Sequence, residues 1–371
     1  MTSREPPASI PFSSNAGYPL FPMSTIRVGV IGCGYWGPNL LRNFAENDGA
    51  ELRWICDVDN ARLAAMARRY PAARTTTDYL DLISDKELDA ITVVTPVATH
   101  FAIAGAALGA GKHVLVEKPL TATAAEAEEL IALAEQAGLS LMVDHTFVYT
   151  GAVRKMKEIV AGGELGDLLY FDSVRINLGL FQRDINVLWD LAPHDLSIMD
   201  YLIERQPIGV SAIGSCHIES GTENIAYLVM RFADEFIAHF HFNWLAPVKI
   251  RRTMIAGSSK MILYDDIEPT EKVRVYDKGV TANRIGDREA DYQTLISYRT
   301  GDVWAPKLDP TEALRYVVAE FLGSIRERRR PLTDGHAGLR VVRVLEAANE
   351  SMKAGGQIKL LSSNTQAAPA A

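Results

Sequence analysis

The chain has 371 residues, 48% hydrophobic and 23% charged, with a formal net charge of -8. That fits a globular protein of about two domains whose core needs no covalent staples, and the acidic balance argues against nucleic acid as a partner. Three scattered cysteines, Cys33, Cys56 and Cys216, form neither a disulfide framework nor a metal-ligand pattern and fit a reducing cytoplasm, and no run is long and apolar enough to span a bilayer.

Residues 1–24 read as a disordered tail, with five prolines in the first 22 positions and no continuous apolar stretch of the signal-peptide kind. Met23, just ahead of the first strand, is a second candidate start. The stretch 28–37 reads VGVIGCGYWG: a short β-branched run, then Gly32, Gly34 and Gly37 at G-x-G-x-x-G spacing. Gly32 permits the tight turn, Gly34 lets a pyrophosphate approach the backbone, and Gly37 lets the following helix pack on the strand. Pro38 opens that helix, whose N-terminus offers unpaired N–H groups to phosphates. Residues 51–56 form the next strand, and Asp57 at its end lies 20 residues beyond Gly37, where an acid accepts hydrogen bonds from a ribose.

Asn60 is expected to cap a helix ending before Pro71, and Asp78 a short turn over 79–84. Residues 90–94 make a buried strand bounded by Thr95-Pro96, 100–109 a small-residue helix, and 112–116 a strand followed at once by Glu117-Lys118-Pro119. Thr123 and Glu126 form a capping box for a helix reaching about Ala137, and 140–143 is another strand. The alternation over 25–148 predicts a doubly wound parallel sheet. Its ligand crevice lies beyond the carboxyl ends of the strands, where the Gly32 loop, Asp57, Thr95-Pro96, Glu117–Pro119 and His145 converge.

From about 149 the pattern changes. A helix over 151–160 precedes strand-like runs at 168–174, 210–217, 224–232, 236–244, 251–256, 261–264, 273–276 and 294–298, several of them alternating apolar and polar. A mainly antiparallel sheet with one free face is expected, and a free apolar face predicts a homodimer or homotetramer. Helices over 311–328 and 335–353 are expected to close this second domain, 149–356. The basic run 326–330, RERRR, reads as a solvated face with contact to an anionic substrate as the alternative. Residues 357–371 read as a second disordered tail.

Two clusters could do chemistry. Pro119 biases Lys118 toward an extended backbone that aims its ammonium into the crevice, where it could stabilise the charge growing on a substrate oxygen as a hydride leaves; a surface lysine at a strand end is the plain alternative. In Trp189-Asp190-Leu191-Ala192-Pro193-His194, Asp190 and His194 share a face if Pro193 lies in a helix's first turn. His194 is then a candidate general base and Asp190 its orienting partner. A lone histidine is more often structural, and the same holds for His100, His145, His239 and His241. No cluster has zinc spacing, and the chemistry needs no metal.

These residues together resemble the Gfo/Idh/MocA oxidoreductases over about 26–355. The marks are GCGYWG at 32–37, Asp57, TPVATH at 95–100, EKP at 117–119 and DLAPH at 190–194. The resemblance implies a Rossmann domain followed by an open-faced α/β domain whose sheet mediates oligomers. It implies a cofactor site of Gly32, Gly34, Tyr35, Trp36, Gly37, Asp57, Arg62, Thr95, Pro96, His100, Glu117 and Lys118, a substrate site of Lys118, His145, Trp189, Asp190 and His194, and catalysis by Lys118, Asp190 and His194. GYWGPNLLRNF at 34–44, with the segments 244–247 and 304–306, looks like the branch that oxidises C3 of UDP-N-acetyl sugars or reduces the keto sugars. Ketoreductase relatives can carry Tyr at the His194 position, so His fits the dehydrogenase side. Asp57 would repel a 2′-phosphate and favours NAD, while Arg62 leaves NADP open. The expected activity is hydride transfer between nicotinamide and a sugar, with a free-sugar or inositol dehydrogenase, or a non-catalytic NAD(H) sensor or scaffold, as alternatives.

Overall fold

The computed structural model describes residues 25–179, 185–218, 221–283 and 295–361; the N-terminal tail and residues 362–371 lie outside this set, as does Thr294. The first half alternates β1 (Ile26–Ile31), α1 (Gly37–Ala45), β2 (Ala50–Cys56), α2 (Asn60–Arg69), β3 (Arg74–Thr76), α3 (Tyr79–Ser84), β4 (Ala90–Val93), α4 (His100–Gly109), β5 (His113–Glu117), α5 (Ala124–Ala137) and β6 (Leu141–Asp144). The strands form one parallel sheet in the order β3-β2-β1-β4-β5-β6. Their runs are apolar because both faces are covered: Val28, Val30, Ile91, Val93, Leu115 and Val116 are fully buried. The capping box at Thr123 and Glu126 is present, and Gly138 closes α5 in the left-handed conformation at φ 64°. Asp59, not Asn60, caps α2, accepting from the N–H groups of Ala61 and Arg62. The polar edge strand β3 had no pattern to announce it.

The second half runs α6 (Gly151–Ala161), β7 (Leu168–Leu178), α7 (Val187–Ile203), β8 (Gly209–Ser215), β9 (Ile225–Arg231), β10 (Ile237–Asn243), β11 (Leu245–Gly257), β12 (Met261–Asp265), β13 (Val273–Tyr276), β14 (Gly279–Asn283), β15 (Leu295–Arg299), β16 (Val303–Trp304), α8 (Ala313–Glu327), α9 (Gly335–Lys353) and β17 (Lys359–Leu360). Nine strands form a mixed sheet, β16-β13-β12-β11-β7-β10-β9-β8-β17, with β14 and β15 apart as a hairpin. All its pairs are antiparallel except β10 with β7. Ala238, Phe240 and Phe242 point inward from β10 while Ile237, His239 and His241 point outward, the alternation of a sheet covered on one side.

Three expectations need correction. First, α8 does not close the second domain. Its Leu314, Val317, Val318, Phe321 and Leu322 pack with Val28, Val30, Leu40 and Phe44, so the far end of the chain covers one face of the parallel sheet. Second, α7 starts at Val187, where Asn186 caps it by accepting from the Trp189 N–H. Pro193 therefore lies inside the helix, not in its first turn, and Asp190 and His194 are one turn apart on a formed helix. Third, the tail expected from 357 begins too early, since Lys359 and Leu360 pair with Val210 and Gly209. The basic run is a solvated face as expected, exposed over 327–330, with Arg328–Arg330 beside His113 at the end of the parallel sheet away from the crevice and with Arg329 and Arg330 paired to Glu320, Glu327 and Glu135; the alternative of contact with an anionic substrate does not fit that place.

The other face of the parallel sheet shares one apolar cluster with α4, α5, α7, α9 and the inner face of the nine-stranded sheet, so the two halves are packed through a common core. Among the described residues no helix is long and apolar enough to cross a membrane.

Candidate active site

The glycine loop is shaped by contacts no larger residue could make. A Cβ at Gly32, where φ is 104°, would lie 2.2 Å from the Val94 carbonyl oxygen, and one at Gly37 would lie 2.1 Å from the Gly32 carbonyl oxygen. At Gly34 the nearest atom would be Arg62 Nη1 at 3.8 Å, so that position faces open space. Trp36 provides no side-chain cap for α1, which leaves N–H groups of the first turn for an anion. Asp57 is buried beneath the loop. Its Oδ2 accepts from the Cys33 N–H at 2.5 Å and its Oδ1 from the Asp59 N–H at 2.8 Å, and each carboxylate oxygen retains a lone pair for a ribose hydroxyl. Open space at Gly34, an uncapped helix and an ionic acid at the end of β2 fit a dinucleotide. Tyr35 stands 90% exposed on the lip of the loop.

Lys118 leaves the end of β5, and its peptide bond to Pro119 is cis. Its Nζ donates to the Asp190 main-chain oxygen at 2.9 Å and lies 3.7 Å from Asp190 Oδ1. Asp190 Oδ2 accepts from Trp244 Nε1 at 3.1 Å, and Trp244 is fully buried. His194 follows one turn along α7, its ring edge-on to Phe147 with centroids 5.0 Å apart. Burial pushes the His194 imidazole well below its ordinary pKa, and the cations Lys118, Arg175 and Arg251 push it further in the same direction, with His145 adding to them. A neutral imidazole beside the Lys118 amine is an arrangement that can accept a proton next to a group able to stabilise an oxyanion.

Behind Lys118 sits a buried carboxyl pair. Asp144 accepts from Trp36 Nε1 at 3.1 Å and from Thr146 Oγ1 at 2.7 Å. Burial and the neighbouring Asp144 charge raise the Glu117 carboxyl well above its ordinary value, so Glu117 keeps its proton and donates to Asp144. The indole of Trp36 thereby ties the glycine loop to β6, and the pair supports the backbone of Lys118.

Three expected ligand residues are placed differently. His100 is buried, with Nδ1 against the Pro119 carbonyl at 2.9 Å and Nε2 against the Thr95 carbonyl at 2.7 Å. It sits between two loops of the crevice with both nitrogens turned to main-chain carbonyls, and because burial lowers its pKa the neutral ring donates to one of them at a time. Thr95 and Pro96 remain on one of those loops, where Thr95 Oγ1 accepts from Thr99 Oγ1. Trp189 is a core residue packed with α7 and the nine-stranded sheet. His145 is 1% exposed and faces a separate cavity. Arg62 lies near Gly34 and pairs loosely with Asp59 at 3.4 Å.

Sequence reasoning missed Trp244 as the partner of Asp190, and missed the buried ion pair of Arg175 and Asp195. Arg175 Nε donates to Asp195 Oδ2 at 2.5 Å, and Ser173 Oγ donates to Oδ1 at 2.9 Å. Arg175 also lies over the Phe147 ring at 4.6 Å, which fixes the wall against His194. The Asp195 neighbour of His194 was the one available signal.

Residues 26–145 match the model of an oxidoreductase family with an NAD-binding Rossmann fold, and residues 153–263 match the GFO/IDH/MocA C-terminal domain. The chain belongs to the Gfo/Idh/MocA oxidoreductase family. It therefore carries an NAD-binding Rossmann domain. The uncharacterized oxidoreductase YdgJ of Escherichia coli K12 is 30% identical over 263 residues, covering 67% of this chain and 73% of YdgJ. The UDP-N-acetylglucosamine 3-dehydrogenase of Acidithiobacillus ferrooxidans is 28% identical over 323 residues, covering 86% of this chain and 95% of that enzyme. Its solved structure superposes with a TM-score of 0.76 over 90% of this chain and 99% of that one, at 26% identity. An inositol 2-dehydrogenase of Salmonella typhimurium is 30% identical over 187 residues, 49% of this chain and 55% of that enzyme.

Proposed function

We propose that the chain is a cytoplasmic NAD-dependent dehydrogenase of a sugar hydroxyl, with the sugar carried on a nucleotide. The observation that carries this reading is Lys118 Nζ 2.9 Å from the Asp190 main-chain oxygen, with His194 one turn further along the same helix. NAD, held by the Gly32–Gly37 loop and Asp57, supplies the hydride acceptor. Lys118 then donates to the reacting hydroxyl oxygen and steadies its growing negative charge. His194, kept neutral by burial and by its cationic neighbours, takes the hydroxyl proton. Asp190, held by Trp244, positions the ammonium and leaves α7 in register with the crevice. Glu117 and Asp144 fix the Lys118 backbone from behind. The pairing of ammonium and neutral imidazole weighs against a non-catalytic sensor, which has no use for both.

The nucleotide handle is supported by the motif at 34–44 and by the near full-length similarity to the Acidithiobacillus enzyme. Inositol or a free sugar is the second reading, favoured by the Salmonella relative over half of its length. Assembly through the outer face of the nine-stranded sheet is part of the proposal, supported by Ile213, Tyr227 and Ile237 exposed on that face.

The test is thermal protection followed by turnover. NAD and UDP should each raise the melting temperature, and NADH absorbance should grow when UDP-N-acetylglucosamine is added with NAD. Turnover of inositol or free sugars without protection by UDP would move the assignment to the second reading. Tight NADH binding with no turnover of any sugar would leave the sensor.

A further inference from the structure

A cavity of about 310 Å³ lies behind the helix that carries Asp190 and His194, walled by His145, Lys157, Ser197, Asp200, Tyr201 and Arg340 among others. It reaches the surface beside Glu204, an exposed side chain. The charges on its walls are already matched: Lys157 pairs with Glu204, and Arg340 donates twice to Asp200, at 2.7 Å each. A charged ligand has little to gain there, whereas a cavity of this size has room for several waters at about 30 Å³ each, held where His145, Ser197 and Tyr201 reach into its otherwise largely apolar wall.

Two histidines need those waters. His145 is 1% exposed and, among the described residues, neither of its ring nitrogens has a partner, and His194 Nδ1 is likewise buried without one. Ser197, three residues beyond His194 on α7, lines the cavity, and Phe147, two residues beyond His145, packs on the His194 ring. Ser197 Oγ donates to the His194 main-chain oxygen at 2.9 Å, so the turn of α7 that carries His194 borders the cavity that His145 lines, and the two imidazoles are close enough to interact electrostatically. We propose that His145 relays the proton between His194 and solvent through water in this cavity.

The relay rests on the dehydrogenase reading. Oxidation of one hydroxyl sends a hydride, two electrons with one proton, to the nicotinamide and leaves the O–H proton on His194. The Nδ1–H of His194 gives its proton to an intervening water. That water protonates one nitrogen of His145, and the opposite nitrogen releases a proton to the cavity and so to bulk solvent. Reduction runs the same chain backwards. The groups facing His194 are Lys118 from β5, Arg175 from β7, Arg251 from β11 and His145; those facing His145 are Lys118 and Arg340 from α9. All but the neighbouring imidazole are cations, so both rings rest neutral and a proton placed on either is passed on. Burial, then Lys118 and Arg340, pull His145 down to about 3.

The test uses the full chain labelled with ¹⁵N-histidine and follows exchange of ring N–H protons with water by NMR, which requires no substrate. Rapid exchange is expected at both His145 and His194. His145→Phe should slow exchange at His194 by about tenfold or more. Ala337→Leu, which fills the cavity from α9 and leaves both histidines in the sequence, should do the same and stands in if His145→Phe does not fold. A persistent, slowly exchanging His145 N–H in the wild type, or unchanged His194 exchange in either variant, overturns the relay. In turnover, His145→Phe should lower kcat with KM unchanged, enlarge the solvent deuterium isotope effect, and recover with added imidazole. Absence of turnover in the wild type would sink the dehydrogenase reading, while the exchange data still decide the relay.

Discussion

The two sheets of this molecule solve the problem of covering apolar surface in opposite ways. The six-stranded parallel sheet is covered on both faces, and its strands read as continuous apolar runs. To complete that cover it takes α8 from beyond residue 312, after eight of the nine strands of the second sheet. The nine-stranded sheet buries one face on α7 and α9 and leaves the other partly apolar, with Tyr227 stacked on His241 at 4.4 Å and Ile213 62% exposed. The first sheet is finished within the chain. The second keeps one face without a covering layer among the described residues, which is the ground for the proposed assembly.

The comparison breaks most sharply in the core of each half. Phe321→Ala removes a fully buried ring from α8 and should cost about 3–5 kcal/mol, seen as a lower denaturant midpoint; because α8 backs the glycine loop's sheet, NAD affinity should fall with it. Asp195→Ala leaves Arg175 buried without its counter-charge and should also cost about 3–5 kcal/mol, but with NAD affinity near that of the wild type. If both variants weaken NAD equally, the division of labour between the sheets is wrong.

Next in size is the crevice where the halves meet. Lys118→Met should lower turnover by about 10²–10³-fold, the cost of losing one charge-stabilising donor, while NAD titrated by fluorescence still binds. Survival of activity would remove Lys118 from its role.

A smaller effect depends on pH. The raised Glu117 carboxyl binds its proton more tightly folded than unfolded, so its contribution is complete below about pH 4.5 and is lost as pH climbs through the raised value. Glu117→Gln, neutral at every pH, should lose less melting temperature between pH 5 and 8 than the wild type. His145 acts with the opposite sign: lowered to about 3, it adds stability that is present above about pH 6.5 and lost as pH falls toward 3. Equal pH slopes in wild type and Glu117→Gln would show that the carboxyl pair is not protonated.

The smallest effect belongs to the open face. Tyr227→Ser should change monomer stability by no more than about 0.5 kcal/mol, yet shift the assembly toward smaller species in analytical ultracentrifugation. An unchanged sedimentation profile would direct the search for an interface elsewhere.

Much of the first half was legible because its rules are local. The glycine spacing, the acid ending β2, the capping box at Thr123 and the strand ending in Glu117-Lys118-Pro119 each depend on a few neighbouring residues. The first-half side of the crevice follows the same local rule, since the Gly32 loop, Asp57, Thr95-Pro96 and Lys118 each leave the carboxyl end of a parallel strand, whereas Asp190 and His194 come from α7. Pro193 misled the reading of α7, because a proline suggests a first turn and only packing keeps the helix intact around it. Trp189 and His100 looked like ligand residues and are structural, a distinction that depends on which side of an element meets the core.

By itself the chain's order of residues determined a phosphate-binding turn, an alternating α/β half, a half of alternating strands, and a lysine and a histidine able to share a proton-transfer task. Tertiary structure alone decided that α8 returns to the first sheet, that Trp244 holds Asp190, that Arg175 and Asp195 pair beneath the site, and that His145 faces a second cavity. The physical reason is range. Backbone conformation and capping are settled within one or two turns of chain, whereas burial, counter-charges and cavities arise between residues tens to hundreds of positions apart.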